Sequence, residues 1–148
     1  MKKTIAALSA ALILATAIPA HAAGYVTVTN LKKISTKDKT VMLSVKGLPK
    51  DRGIYISQCM AIEAEQTAPT ACNTAEASKL WVSNNPADQK MGAKAPSAKL
   101  SIKIDKYFDK GDCIHTKCII YVTNDHKSPA DPANNQAISF KFSGINLF

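Results

Sequence analysis

Arginine is almost absent: Arg52 stands alone among 19 basic residues in a chain of 148. Planar, bidentate recognition of phosphate is thereby nearly excluded. Aromatic side chains are scarce as well, at 6% of the chain, with Trp81 the sole tryptophan. No basic cluster is interleaved with aromatics, and no nucleic-acid-binding motif is present. Beyond residue 22 there is no apolar run of the ~20 residues that a spanning helix needs. Helical periodicity is missing from the same region. So are catalytic signatures: there is no G-x-S-x-G, no H-E-x-x-H and no Gly-rich phosphate loop. His115 falls in a tight cysteine loop and His126 in the Asn124-to-Pro132 turn, where Asp125-His126 reads as a turn pair rather than half of a triad. A hydrolase needs a nucleophile held by a base and an orienting group, so no enzyme is expected. Asp105, Asp109 and Asp112 gather near one turn, but their spacing fits no calcium loop and Lys106 and Lys110 lie among them. No metal and no cofactor are expected.

What is present begins with an export signal. Lys2 and Lys3 open a charged segment, Ile5 to Ile18 are apolar, Pro19 breaks a helix, and Ala20-His21-Ala22 has the small-x-small form of a cleavage site. Residues 1–22 are therefore read as a signal peptide and 23–148 as one domain, secreted and monomeric. The size suits a single hydrophobic core. The chain carries four cysteines, all beyond the leader. In an oxidising compartment an even number points to disulfides, and four thiols allow three pairings. The local pairs are preferred. Cys59 and Cys72 flank a turn-forming Thr67-Ala68-Pro69-Thr70, and Cys113 and Cys118 flank a tetrapeptide that suits a hairpin tip. The longer bridge would contribute about 3 kcal/mol in the chain-entropy model. A metal site using these thiols with His115 and His126 is the alternative, but the spacing is not C-x₂-C.

Period-two alternation runs through most of the domain. Strands are expected at Tyr25–Asn30, Val41–Val45, Ile54–Cys59, Leu80–Val82, Leu100–Ile104, Cys118–Thr123 and Ile138–Phe142. Gly47 to Gly53 and Asn84-Asn85-Pro86 read as turns. Seven strands separated by turn signals describe an antiparallel β-sandwich. Lys46, Lys99, Lys103 and Lys141 fall on the polar parity of strands, where they solvate an outer face and protect edges. The net charge of +8 also allows an anionic partner such as DNA or a cell-surface polymer. Trp81 reads as a core or hairpin anchor, or alternatively as an exposed platform that stacks a ligand ring or a sugar; Met42 and Met60 read as core or gap filler, and Leu147-Phe148 as a terminus that packs on the domain.

The cysteine neighbourhoods carry a resemblance. Gly47-Leu48 followed by Gly53-Ile54-Tyr55-Ile56-Ser57-Gln58-Cys59 is similar to the "GL…G-x-x-Y/V…Q-C" stretch of the neocarzinostatin family, secreted actinobacterial apoproteins that carry enediyne chromophores. Cys72-Asn73-Thr74-Ala75-Glu76 resembles its C-N-x-A-[DE]. Asp112-Cys113, Cys118 and Val122-Thr123-Asn124 resemble its second disulfide hairpin and the strand that follows. Ala137-Ile138-Ser139-Phe140 resembles its closing strand. The resemblance spans roughly residues 25–142. It implies an all-β fold: a seven-stranded immunoglobulin-like antiparallel β-sandwich with a disulfide-bearing side hairpin. It also implies the pairs Cys59–Cys72 and Cys113–Cys118, and a ligand cleft between the 59–72 hairpin and the sandwich.

Strand parity then sorts the side chains. Ile54, Ile56, Ile120 and Val122 point to the core, while Tyr55, Ser57, Cys59, Ile119, Tyr121 and Thr123 point to the cleft. Two floor positions that are glycine in the chromophore carriers are Ser57 and Tyr121 here. Two positions that carry stacking aromatics in the family are Ala61 and Ala77. The ligand set expected is Tyr55, Ser57, Cys59, Cys72, Phe108, Ile119, Tyr121 and Thr123, for a small aromatic or apolar molecule. Alternatively, Tyr55 and Tyr121 pack against each other across neighbouring strands. The competing functions are an extracellular adhesion module that binds anionic polymer, and a DNA-associated antibiotic apoprotein.

Overall fold

Alternation along the strands selects the core before any contact is considered. In β2 (Thr40–Val45), Val41, Leu43 and Val45 are 0–2% exposed while Met42 is 39% exposed. Met42 therefore belongs to the outer face and is not the core filler its type suggested: it lies on the polar parity of its strand. The computed structural model describes residues 24–29, 31, 34, 39–128, 132 and 135–142. The expected leader at 1–22 and the Leu147-Phe148 terminus lie outside these residues.

The described residues form antiparallel sheets with one short helix. β1 (Val26–Val28), β2 and β5 (Leu100–Lys103) make a three-stranded sheet in the order β1-β2-β5. β3 (Gly53–Met60), β4 (Lys79–Ser83), β8 (Cys118–Asn124) and β9 (Gln136–Phe140) make a four-stranded sheet in the order β4-β3-β8-β9. β6 (Tyr107–Phe108) and β7 (Gly111–Asp112) pair as a small separate hairpin, which no alternation announced because each strand has two residues. All seven expected strands are present, with no end shifted by more than two residues.

Both sheets contribute to a single apolar cluster. Val26, Val41, Leu43, Val45 and Ile102 come from the first sheet, and Ile54, Ile56, Val82, Ile120, Val122 and Phe140 from the second. A side chain completes the free edge of β1. The side-chain amide of Gln136 accepts from Val26 N (3.0 Å) and donates to Val26 O (3.1 Å), so it substitutes for a missing neighbour strand beside β1. A short helix stands where a turn was expected. Asn85 accepts from Ala87 N at 2.9 Å as an N-cap, and Pro86 opens α1 (Pro86–Lys90). Asn-Pro is a turn signal and a helix-start signal alike, because proline at the first helical position lacks only an N–H that would be unpaired anyway.

The cysteines pair locally, Cys59 with Cys72 and Cys113 with Cys118, and no cysteine is free. The first bridge returns the chain alongside the end of β3, where Met60 N donates to Ala71 O and Asn73 N to Gln58 O. No helix among the described residues is long and apolar enough to cross a membrane.

Candidate functional site

The face of the four-stranded sheet turned away from the core carries the residues that parity assigned to it. The β3–β8 register sets Tyr55 opposite Thr123, Ser57 opposite Tyr121 and Cys59 opposite Ile119. Tyr55, Ser57, Tyr121 and Thr123 are partly exposed, whereas Cys59 and Ile119 are 0% and 3% exposed. The disulfide end of this face is thus closed and the Tyr55 end is open. Tyr55 and Tyr121 do not sit opposite each other. Tyr55 is flanked by Trp81 and Thr123, and Tyr121 by Ser57 and Ala137. Phe108 does not join them. It packs against the core cluster, with its ring over Gly111.

Trp81 and His126 belong to this face, although neither is in the expected ligand set. Leu80 and Val82 face inward opposite Ile56 and Ile54, so Trp81 must face outward. The alternation that turned Tyr55 outward contained this information. His126 carried no such signal, since it sits in the turn after β8. The three rings cluster: centroids are 6.1 Å apart for Tyr55–Trp81, 6.4 Å for Tyr55–His126 and 5.5 Å, edge to face, for Trp81–His126.

The turn 125–128 pins the cluster with three successive side chains. Asp125, 1% exposed, accepts from Trp81 Nε1 at 3.2 Å and from Lys127 N at 3.1 Å. His126 Nδ1 is hydrogen-bonded to the Tyr55 hydroxyl at 2.9 Å. Lys127 Nζ donates to both oxygens of Asp88, at 2.7 and 2.8 Å. Gly53 is required beneath this crossing, because a Cβ there would lie 2.1 Å from the Asp125 carboxylate and 3.1 Å from the indole nitrogen. Burial raises the pKa of both Tyr55 and Tyr121, and for Tyr55 the Asp125 charge adds to it. Both phenols are neutral hydrogen-bond groups at neutral pH.

Asp88 supplies the acid sensitivity of this end of the molecule. Its hydrogen bonds from Lys127, then from Ser83 (2.7 Å), hold its pKa below the usual carboxylate value. A depressed folded-state pKa stabilises above the unfolded value of about 4, and that stability is lost as pH falls through the folded value. Melting temperature should therefore be flat with respect to this group from about pH 5 to 7 and fall below about pH 4. Asp88→Asn should be less stable than wild type at neutral pH and show a shallower acid limb. Parallel pH–Tm curves for the two proteins would refute this assignment.

Two other acidic groups singled out in the sequence have structural roles. Asp112 accepts from Ile114 N (3.0 Å), His115 N (3.1 Å) and His115 Nδ1 (2.7 Å), which cap the loop inside the second disulfide. Asp105 pairs with Lys39 at 3.3 Å. No group of three or more His, Cys, Asp or Glu side chains among the described residues could hold a metal ion. A groove of about 390 Å³, lined by residues that include Ala77, Lys79, Leu80, Trp81, Met91 and Lys94, opens along the outer edge of β4. None of the eight residues expected to line a cleft belongs to it. Comparison with known proteins finds no family model, no curated protein and no solved structure that matches the chain.

Proposed function

We propose that the protein is a secreted, non-enzymatic binding module of neocarzinostatin type, built as an immunoglobulin-like sandwich. In this reading it holds a small aromatic or apolar molecule against the outer face of the four-stranded sheet. The observation that carries the reading is the partly open cluster of Tyr55, Trp81 and His126, with Tyr121 and the hydroxyls of Ser57 and Thr123 beside it. Ring faces supply apolar stacking area, and the neutral hydroxyls orient a bound molecule. Two disulfides suit an oxidising, extracytoplasmic compartment. Tyr121 and Ser57 fill the floor where the chromophore carriers have glycine, so the ligand here sits higher and further toward Trp81 than a flat chromophore lying on bare backbone.

Native mass spectrometry of the protein recovered from its own host's culture medium, beside the recombinant form, tests this. A small-molecule adduct on the native sample is expected, and it should be lost from Tyr55→Ala and Tyr121→Ala. Identical bare masses would count against a carrier. A second reading rests on Lys46, Lys99 and Lys103, which are exposed on the outward parity of the three-stranded sheet. It predicts attachment to an anionic polymer that weakens steeply with salt and is lost in Lys99→Glu/Lys103→Glu.

A further inference from the structure

The outer edge of β4 is half covered by the protein's own chain and half open. Lys94 runs beside it in a parallel bridge to Val82: Lys94 N donates to Trp81 O (2.8 Å) and Ser83 N donates to Lys94 O (3.0 Å). These bonds establish that the backbone groups of Trp81 and Ser83 point away from β3. By the two-residue alternation of a strand, so do those of Lys79. Below Lys94 the covering chain departs at Gly92, whose φ of +112° turns it off the edge. The N–H of Lys79 closes the 3-10 turn Glu76–Ser78, so the groups directed along the groove are the N–H of Trp81 and the C=O of Lys79.

The groove has a definite chemistry. Leu80 and Met91 give it apolar walls, and Met91 is 65% exposed. Lys79 is paired with Glu76 at 3.3 Å, while Lys94 has no ion-pair partner among the described residues. The lining therefore holds two cations against one anion, with the uncompensated charge at the end where the chain's own strand begins.

We propose that this open half-edge is a strand-addition site for an extended, acidic peptide segment of another protein. Backbone bonds to Lys79 O and Trp81 N would supply affinity over about three residues, an acidic side chain would meet Lys94, and an apolar one would lie between Leu80 and Met91. The site shares Trp81 with the aromatic face, but uses its backbone rather than its ring. The exposed lysines select the partner by charge while discouraging pairing between two copies of this basic chain.

The test uses the oxidised protein and three peptides: acetyl-Thr-Glu-Val-Glu-Thr-amide, its lysine counterpart, and the acidic peptide methylated at every peptide nitrogen. Amide hydrogen exchange at Trp81 is the readout. The acidic peptide at saturation should slow this amide by about tenfold or more, as strand addition sequesters it. The lysine and methylated peptides should leave it unchanged. Lys94→Glu should exchange the preference between the acidic and lysine peptides, and Tyr121→Ala should have no effect, which separates this site from the aromatic face. Failure of the acidic peptide to protect the Trp81 amide overturns the proposal, as does equal protection by the methylated one. A dimer in sedimentation with that amide already slow would also overturn it, because a second copy would then be the occupant.

Discussion

Replacing Gln58 by alanine should destabilise the protein by about 3–5 kcal/mol, the sum expected for two or three orphaned buried groups at about 1–3 kcal/mol each plus a small cavity. Gln58 lies on the inward parity of β3 and is 0% exposed, where an apolar side chain would be the default. Its amide is instead the centre of a polar network. Oε1 accepts from Asp105 N (2.8 Å) and Asn73 Nδ2 (2.9 Å), and Nε2 donates to Asp105 O (2.6 Å) and Cys113 Sγ (3.2 Å). One side chain thus satisfies both backbone groups of the residue that follows β5 and its Ile104 extension. Asn73 would survive the substitution better, since its amide also donates to Ser78 Oγ and Asp105 Oδ2, each at 3.1 Å. Urea unfolding at neutral pH measures the effect. A loss under about 1 kcal/mol would mean that water replaces the amide, and that the network adds little beyond an ordinary exposed hydrogen bond.

The second large effect is removal of the Cys59–Cys72 bridge. Cys59→Ala/Cys72→Ala should cost about 3 kcal/mol from chain entropy alone, for a sequence separation of 13. Removing Cys113–Cys118, with a separation of 5, should cost about 2 kcal/mol by the same relation. Burial adds to the first loss, because Cys59 is 0% exposed and supports Ile119 across the strand pair. Paired unfolding curves of the two double variants measure the difference. A larger loss for the shorter loop would show that packing around Cys113, which also accepts from Gln58, outweighs loop closure.

These two predictions meet at one place in the chain, and the reason is geometric. The bridge and the bond from Asn73 N to Gln58 O hold residues 71–73 alongside the end of β3. That puts the Asn73 amide within reach of Gln58. Gln58-Cys59 and Cys72-Asn73 therefore act as one unit: each cysteine carries beside it the polar residue that the disulfide brings to its partner. The neighbouring residues were visible in the sequence as a pattern, but Asp105, their common partner 47 positions from Gln58, was not.

Local alternation was enough to place most of the β-structure and the core. Val41, Leu43, Val45, Ile54, Ile56, Ile120 and Val122 are all fully or almost fully buried, as their parity required. A strand's two faces are set by geometry within the strand itself, so no knowledge of its neighbours is needed. The local cysteine pairs follow from chain proximity in the same way.

Which side chains meet across strands is a different kind of fact. It depends on strand order and register, and those are set by the packing of the whole core. Tyr55 meets Trp81 and His126, 26 and 71 positions away, because β3 lies between β4 and β8 and because Asp125 N bonds Gly53 O at the end of the sheet. Lys127 reaches Asp88 only because a helix, rather than a simple turn, follows β4. The open half of the β4 edge has the same origin: it exists because Lys94 covers one end and Gly92 turns the chain away from the other. Faces and disulfides are properties of short stretches of chain, whereas the aromatic cluster, the buried amide network and the free edge are properties of how those stretches come together.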